Sequence, residues 1–591
     1  MNPSQGETLL ERSFPRTTRT LLDTYATSNY QGYQLEAWVF DDQAERQATE
    51  VAFEAVGISA RIRSAYKPLV HFFLEEFDWT SLQSLVIEYP VPPLAPRRFL
   101  LEAYPLAALL PEGVTLHWEG IASPTFEPSH DPCHYRVRVE RSTGQRENYV
   151  VVAPNRHHQD HVGEAQFSPC GWLRLISTQG EVSESKVETD YEALFQAAMD
   201  TVSSASWPPA SPYFEELNVS VTLPCADRRL AWDDEHISLA EALHEELYFS
   251  TLEYFQHREG LALGDRSIQP GQIVPEVLTQ GDEPHIKIGM RALSVQQPQR
   301  AQVTLDAAQQ AIDVAQIEQL LAQLGGQALH ATTRAGRVVE ARYLSGCDRA
   351  VIISAGQHAN ETSGVVGALR AAQTLSCQPE AHFVISPLEN PDGYALQGRL
   401  VTTQPRHMHH AARYTAFGND LQSQPLGQPF EHAIREQAFA ASNAGLHINL
   451  HGYPAHEWTR PLNGYVPRGF EMWTIPKGFF LILRHQPGWE AAAVQLVEAV
   501  TQQLAQVPGL VAFNDAQIAL FETHAGALTF PVLNGFPYLI LEDASQLTPL
   551  MLITEYPDET VTGDAFLQAH TAQRATVIAA YNAFQTLTLD S

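Results

Sequence analysis

The chain has 591 residues and a formal net charge of -31, from 37 Lys and Arg against 68 Asp and Glu. This negative charge argues against a nucleic acid or an anionic membrane surface as the main partner, because both repel an acidic protein. No stretch approaches the roughly 18 uninterrupted apolar residues of a membrane span, so we expect no transmembrane helix. The length predicts two or three domains.

The cysteines and the first residues bear on the cellular compartment. The five cysteines are dispersed, and none belongs to a Cys-x-x-Cys pair. Such an odd, scattered set is typical of reduced thiols rather than of a disulfide framework. The N-terminal residues also lack the apolar core of a secretion signal. We therefore expect a cytoplasmic protein, and the oligomeric state stays open.

The first half of the chain is predicted to be an accessory region. Residues 1–30 are polar and predict a loosely held lead-in segment. Residues 31–300 predict a β-rich α+β region, possibly two subdomains, with strands at 33–40 and 84–91. The runs 135–140 and 149–153 flank a segment containing Gly144, which is typical of a hairpin with a longer loop. Nothing in the sequence assigns this region a function.

Two helices are predicted before the second half of the chain. Residues 238–260 combine a Ser238 and Glu241 capping box with an apolar face and a terminal glycine, which indicates an ordinary amphipathic helix. Residues 305–324 predict a second helix within a linking segment at 301–330. The remainder, residues 331–591, is predicted to be one α/β domain.

Three polar residues lie at the ends of predicted strands in this domain. A buried strand at 351–355 precedes His358 and Glu361, and a second strand, at 446–450, ends at His451. Open α/β sheets bind ligands at the carboxyl ends of their strands. Two His and one Glu form a three-residue ligand set that leaves one position for water, as in catalytic zinc sites. The sequence thus predicts one Zn²⁺ per chain, held by His358, Glu361 and His451.

A further carboxylate is predicted to complete the site. Glu542 and Asp543 follow directly after a predicted strand at 538–541, just as the three predicted metal residues follow the strands at 351–355 and 446–450. Either acid could serve as a general base, which takes a proton from water and passes it to the leaving amine, or could form a structural salt bridge.

These residues resemble the zinc carboxypeptidase family. The resemblance rests on His-x-x-Glu at 358–361, an unbroken Asn-Pro-Asp-Gly-Tyr at 390–394, and a His and a Glu that close later strands. It covers residues 325–585. It implies a mixed-sheet α/β catalytic domain flanked by helices and hydrolysis of an amide bond in a peptide or a modified amino-acid conjugate. By its position in the family pattern, Glu542 rather than Asp543 is the predicted general base.

The resemblance also implies which residues contact the substrate. Three arginines, Arg399, Arg406 and Arg413, compete for the role of stabilising the oxyanion, and Arg406 fits the family spacing best. Substrate contacts are expected from Arg399, Arg413, Asn390, Asp420 and His524.

The sequence departs from the family at its specificity residues. The Asn-Arg pair that binds a peptide's terminal carboxylate corresponds here to Gln422 and Ser423. Ser cannot replace a guanidinium fork, so we expect altered specificity. The alternatives are an aspartoacylase-like deacylase acting on N-acyl amino acids, and a peptide-binding module that retains metal with little activity.

Overall fold

The computed structural model describes residues 6–122, 133–294, 296, 299–425, 427–470 and 473–588. The elements before residue 300 are, in chain order, β1 (Thr8–Ser13), α1 (Thr17–Tyr25), β2 (Gln34–Val39), α2 (Gln43–Glu54), β3 (Ser59–Ser64), α3 (Pro68–Glu75), β4 (Leu82–Val91), α4 (Arg98–Glu102), α5 (Leu106–Leu109), β5 (Thr115–Ala122), β6 (Cys133–Arg141), β7 (Arg146–Ala153), β8 (Asn155–Gln159), β9 (Ala165–Pro169), β10 (Trp172–Ile176), β11 (Val182–Lys186), α6 (Asp190–Ser204), β12 (Glu216–Thr222), β13 (Arg228–Arg229), β14 (His236–Ile237), α7 (Leu239–Glu259), β15 (Gln272–Leu278) and β16 (His285–Arg291).

The elements after residue 300 alternate between strands and helices. They are α8 (Val314–Leu324), β17 (Gln327–Thr332), β18 (Val338–Leu344), β19 (Val351–Ala355), α9 (Ser363–Leu375), β20 (Phe383–Ser386), α10 (Pro391–Leu400), α11 (Ala433–Ser442), β21 (Leu446–Pro454), β22 (Phe480–His485), α12 (Glu490–Leu504), α13 (Leu510–Ala525), β23 (Val532–Leu533), β24 (Phe536–Glu542), β25 (Leu550–Glu559) and α14 (Asp564–Thr586).

A mixed nine-stranded sheet organises the second half, in the order β17-β18-β20-β19-β21-β25-β22-β24-β23. Its central strand β19 is buried along its whole length. Val351, Ile353 and Ala355 join the core formed with α9, α12 and α14, while Ile352 faces α11 on the other side. Because alternate residues of a strand point to opposite faces, a strand covered by helices on both sides is apolar throughout. The predicted α/β class and helix-flanked mixed sheet are confirmed.

The direction of the strands changes within this sheet. β19, β20, β21 and β25 are parallel, so their carboxyl ends meet at one edge. β22 runs antiparallel to β25, and β24 runs parallel to β22. The end of β24 therefore lies at the opposite edge from the ends of β19, β21 and β25.

The described residues of the first half form three four-stranded sheets, β1-β16-β12-β15, β11-β10-β2-β3 and β5-β4-β6-β7, which agrees with the predicted β-rich region. The predicted hairpin is present as β6 and β7. The predicted loose lead-in is wrong for residues 8–25, because β1 pairs with β16 and α1 packs against α2. The predicted domain boundaries stay a prediction.

Helix α7 differs from its predicted amphipathic character. Ser238 caps it by accepting a hydrogen bond from the Glu241 backbone, and Gly260 ends it in the left-handed conformation, both as predicted. However, nearly all of its residues are buried, including Glu241, His244, Glu245, Glu246 and Glu253. The helix lies between the two halves of the chain, and its exposed residues are those of its last turn, 257–259. Its acidic residues are paired instead, as in the bond of 2.7 Å from Arg460 to Glu253.

The predicted linking helix is shorter than expected. Residues 305–307 form a single 3-10 turn, and α8 begins only at Val314, where the Asp313 carboxylate caps the first turn. Among the described residues, no helix is both long and apolar enough to cross a membrane. The five cysteines form no disulfide within the described part of the chain.

Candidate active site

The three predicted metal residues come together at the carboxyl edge of the large sheet. His358 and Glu361 lie on the turn between β19 and α9, and His451 lies on β21, the neighbour of β19. The side chains of all three are almost completely buried. Glu361 precedes α9 by two residues rather than occupying its first turn, so the turn itself aims the carboxylate.

Their ligand atoms converge on one point. The Nδ1 atom of His358 lies 2.8 Å from Glu361 Oε1, and the Nδ1 atom of His451 lies 3.0 Å from Glu361 Oε2. The two Nδ1 atoms are themselves 3.0 Å apart. Two ring nitrogens and a carboxylate this close, all buried, form a set of ligand atoms that could hold a metal ion.

A neighbouring carboxylate orients one of these rings. Asp420 Oδ2 lies 3.3 Å from the Nε2 atom of His358 and accepts a hydrogen bond from it. The Nδ1 atom then keeps its lone pair and is the ring nitrogen that can bind a metal ion. Metal-binding histidines are typically fixed in this way by an outer carboxylate. A His₂Glu set with an oriented imidazole fits Zn²⁺ or a similar transition metal.

The charged groups of the site change one another's pKa values. Burial opposes ionisation of Glu361, but His358 and Arg413 hold the pKa of its carboxyl well below the usual range. Arg413 donates a hydrogen bond of 2.7 Å to Glu361. Burial lowers the pKa of His451, which favours the neutral imidazole that a metal binds.

A second glutamate lies next to this cluster. Glu555 on β25 is the register partner of His451 on β21, so the two residues sit side by side on adjacent strands. Burial, together with the negative charge of Glu361, raises the pKa of Glu555 well above its ordinary value. A carboxyl in such surroundings is suited to accepting a proton and releasing it again.

The cluster opens into a cavity of about 190 Å³. His358, His451, Arg413, Asp420 and Glu555 line it on one side. Arg266 and Arg484 add positive charge, and aromatic rings from Trp458, Phe470 and Trp473 form the apolar wall. The cavity thus combines a metal-binding set, a carboxylate and several guanidinium groups.

Glu542, the predicted general base, lies away from this cavity. It is exposed at the end of β24, where its register partner is His485, and His485 in turn lies opposite Leu550 at the start of β25. Glu555 is five residues further along β25, or about 16 Å at the rise of a strand. The prediction fails because β24 runs antiparallel to β25, and Glu555 occupies the position that Glu542 was expected to take.

Two of the three competing arginines also lie elsewhere. Arg406, favoured by spacing, is exposed and faces Asp234 at 3.7 Å. Arg399 pairs with Glu216 and Glu276 of the accessory region. Only Arg413 lines the metal cavity, because the segment after α10 folds back over the edge of the sheet.

Two predicted substrate contacts have structural roles. The Asn390 side chain caps α10 by accepting from the Gly393 backbone, and it donates to the Tyr414 carbonyl. His524 is buried between Leu100 and Ala107 of the accessory region, with both of which it hydrogen bonds. Neither lines the cavity. Asp420 does line it, as the outer partner of His358.

Arg266, Arg484 and Glu555 were not anticipated from the sequence. The run 550–555 resembles the run 538–542, because both are apolar strands that lead to an acid, so this signal was available but ambiguous. Arg266 comes from the accessory region, on the loop after α7, and its guanidinium lies over the Phe470 ring at 5.0 Å. No local pattern around Arg266 indicates this position.

Similarity to known proteins is confined to solved structures: no protein-family model matches the chain, and no curated protein sequence matches it. The carboxypeptidase A of Helicoverpa armigera is 11% identical over 54% of this chain and 91% of its own, with a TM-score of 0.31. A metallo-carboxypeptidase from Burkholderia cenocepacia is 12% identical over 52% of this chain and 74% of its own, with a TM-score of 0.28. An aspartoacylase family protein from Mesorhizobium loti is 13% identical over 43% of this chain and 66% of its own, with a TM-score of 0.24.

Gln422 and Ser423, which the sequence comparison predicted to stand in place of a carboxylate-binding pair, line or border the cavity. Gln422 lines it and accepts a hydrogen bond of 2.6 Å from Arg435. Ser423 follows in the same short turn. Neither side chain carries a charge, so a negative substrate group would have to meet a cation from another segment.

Proposed function

We propose that this protein is a zinc-dependent hydrolase that cleaves an amide bond in a peptide or an amino-acid conjugate. The observation that carries the proposal is the convergence of His358, Glu361 and His451 at a cavity that Glu555 and Arg413 also line. His358, Glu361 and His451 would hold the ion. When bound, Zn²⁺ supplies Lewis acidity toward an oxygen atom in the cavity.

Glu555 is the proposed general base. It accepts a proton from the water that attacks the carbonyl carbon, and it then delivers this proton to the nitrogen as the C–N bond breaks. The remaining proton of the water passes from the new carboxylic acid to the amine, so the products are a carboxylate and an ammonium group. The raised pKa of Glu555 helps the first transfer, because burial and the negative charge of nearby Glu361 favour the protonated form of the carboxyl.

Arg413 is the proposed oxyanion partner. Its guanidinium lines the cavity and is held in place by Glu361 at 2.7 Å and Glu559 at 3.5 Å. A fixed cation beside the carbonyl stabilises the negative charge that develops on oxygen in the tetrahedral intermediate.

We infer that Arg266 contacts a carboxylate of the substrate. Its side chain is 40% exposed, lies 3.6 Å from Asp420 and reaches into the cavity where the family's Asn-Arg pair is replaced by uncharged residues. Arg266→Ala is expected to raise KM about tenfold or more for substrates with a free carboxylate and to leave KM unchanged for their amides. Equal effects on acids and amides in steady-state kinetics would contradict this role.

The proposed reaction is tested by a panel of amides with a matched pair of variants. Glu555→Gln is expected to lower kcat by at least about 10²-fold, since general base catalysis contributes that much. It should still bind Zn²⁺, measured by elemental analysis. Glu542→Gln, the same change on an exposed strand end, should retain wild-type kcat. Full activity of Glu555→Gln would refute the assignment of the base.

A small conjugate is a second candidate substrate. The cavity of about 190 Å³ is smaller than typical ligand pockets, which favours a compact N-acyl amino acid over an extended peptide. Comparing kcat/KM for N-acyl amino acids and for peptides of increasing length would separate the two. A binding protein without turnover would show zinc content but no hydrolysis of either set.

A further inference from the structure

A second His-Glu-His cluster lies outside the proposed active site. The Nε2 atom of His236 is 2.8 Å from Glu241 Oε2, and the Nε2 atom of His456 is 2.7 Å from Glu241 Oε1. The ligand atoms of the three side chains all lie within 4.8 Å of one another. All three residues are more than nine-tenths buried, His456 completely.

The cluster joins the two halves of the chain. His236 belongs to β14, and Glu241 lies in the first turn of α7, both in the accessory region. His456 follows β21, only five residues after His451, in residues 301–591, which we call the catalytic half after the proposed function. Glu241 Oε1 also accepts a hydrogen bond of 2.6 Å from the Met408 backbone, which fixes the carboxylate from the catalytic side.

The outer hydrogen bonds determine which ring nitrogen carries the proton. The Nδ1 atom of His236 lies 3.3 Å from the Asp234 carbonyl, which can only accept, so Nδ1 carries the hydrogen. The Nδ1 atom of His456 lies 3.2 Å from the Thr560 hydroxyl. That hydroxyl already donates to Asp234 Oδ2 at 2.6 Å, so it accepts from His456.

Both Nε2 atoms are therefore the ones left to bind a cation. Both Nε2 atoms face the Glu241 carboxylate, which can only accept, at 2.8 and 2.7 Å. Either a proton on each ring or a shared cation therefore lies between these nitrogens and the carboxylate. Outer hydrogen bonds that hold Nδ1–H to an oxygen, with Nε2 free, are also typical of histidines that bind metal.

Two more potential ligands flank the cluster. Asp227 Oδ2 lies 2.6 Å from the Nε2 atom of His407, and the ligand atoms of Asp227, His236 and His407 also lie within 4.8 Å of one another. Asp227 lines a surface cavity of about 460 Å³, which offers a path for an ion from solvent. The combined set of imidazole and carboxylate donors is one that Zn²⁺ and related ions prefer.

We propose that His236, Glu241 and His456 bind a second divalent transition-metal ion, such as Zn²⁺, that joins the accessory region to the catalytic half. Structural zinc sites are closed to substrate, which agrees with the burial of these side chains. The site is independent of the proposed hydrolysis, because its residues do not line the metal cavity of His358.

The test is the metal content of the full-length protein, loaded with Zn²⁺, dialysed and measured by elemental analysis. We expect two equivalents in the wild type and one in each of Glu241→Gln, His456→Gln and His358→Ala. The double variant His358→Ala with Glu241→Gln should hold none. His570→Gln, a buried histidine outside both clusters that hydrogen bonds to the Ala308 carbonyl, is the matched control and should keep two.

Thermal unfolding gives a second measurement, which can still be made if the variants at Glu241 and His456 fold poorly. In His358→Ala, a chelator is expected to lower Tm by several degrees, because the remaining ion binds only the folded state. A single equivalent in the wild type that is lost only in His358→Ala would overturn the second site. Two equivalents retained in both Glu241→Gln and His456→Gln would also overturn it. If the proposed active site binds no metal, the result is different: the number of zinc equivalents is the same in His358→Ala as in the wild type.

Discussion

Arg413 illustrates how a single residue acquires its role from position. Its guanidinium bonds to Glu361 and lies near Glu559, so its geometry is held by two buried carboxylates. Arg406, only seven residues earlier, is exposed and pairs weakly with Asp234. Both residues carry the same charge, and only one lines the cavity.

A conservative pair of substitutions tests this difference. Arg413→Lys keeps the charge but loses the planar fork, and we expect kcat to fall by about 10²-fold or more, as for the loss of an oxyanion donor. KM should change little. Arg406→Lys is the control and should match the wild type in steady-state kinetics. Equal kcat values for the two variants would remove Arg413 from the proposed mechanism.

At the scale of elements, a group of hydrogen-bonded, mostly buried charged side chains connects α2 to α3. Arg46 of α2 donates two hydrogen bonds to Glu75 of α3, of 2.8 and 2.9 Å, and Arg228 of β13 adds a third at 3.1 Å. His71 lies 2.6 Å from the same carboxylate. Burial opposes ionisation, but the hydrogen bonds from His71 and Arg46 lower the pKa of Glu75 to about 2.

This cluster predicts a pH-dependent stability. A carboxyl whose pKa is lower in the folded state stabilises the fold above its unfolded pKa, and this contribution is lost as the pH falls through the folded pKa. A decrease from 4.5 to about 2 corresponds to about 3 kcal/mol at neutral pH. Glu75→Gln should therefore lower the free energy of unfolding by about 3 kcal/mol at pH 7, with a smaller deficit as the pH falls below 4.5. Denaturant titrations of both proteins at several pH values measure this difference in the free energy of unfolding. A difference that does not change with pH would contradict the prediction.

At the scale of the whole molecule, the two halves share one core. Leu243, Leu247 and Phe255 of α7 belong to the same buried cluster as Met408, Tyr414 and Trp458 from the catalytic half. The ion pair of Arg460 with Glu253 and the hydrogen bond between His410 and Glu245 cross the same boundary. A chain divided at residue 300 would expose this apolar surface and leave buried carboxylates unpaired.

We therefore expect the accessory region and the catalytic half to unfold together. Calorimetry of the full-length protein should show one transition, and residues 301–591 expressed alone should be insoluble or aggregate, because α7 is missing from the core. A soluble, monomeric fragment with a native-like circular dichroism spectrum would show that the catalytic half folds independently.

Several features of this protein were predictable from the sequence alone. The strand at 351–355 and the capped helix at 239–259 are encoded by neighbouring residues, through apolar runs and by Ser238 and Gly260. The convergence of His358, Glu361 and His451 was also predictable. These residues follow the two apolar strands at 351–355 and 446–450, and apolar strands of this kind lie parallel at the centre of α/β sheets.

Only the tertiary structure decided which acid and which arginine accompany them. Glu542 and Glu555 both follow apolar strands, but β25 pairs with β21 in parallel, whereas β24 runs in the opposite direction two strands further on. The solvent exposure of α7 and the position of Arg266 likewise depend on how the two halves pack. The physical reason is that strand order, strand direction and burial arise from contacts between residues far apart in the chain, which local patterns do not encode.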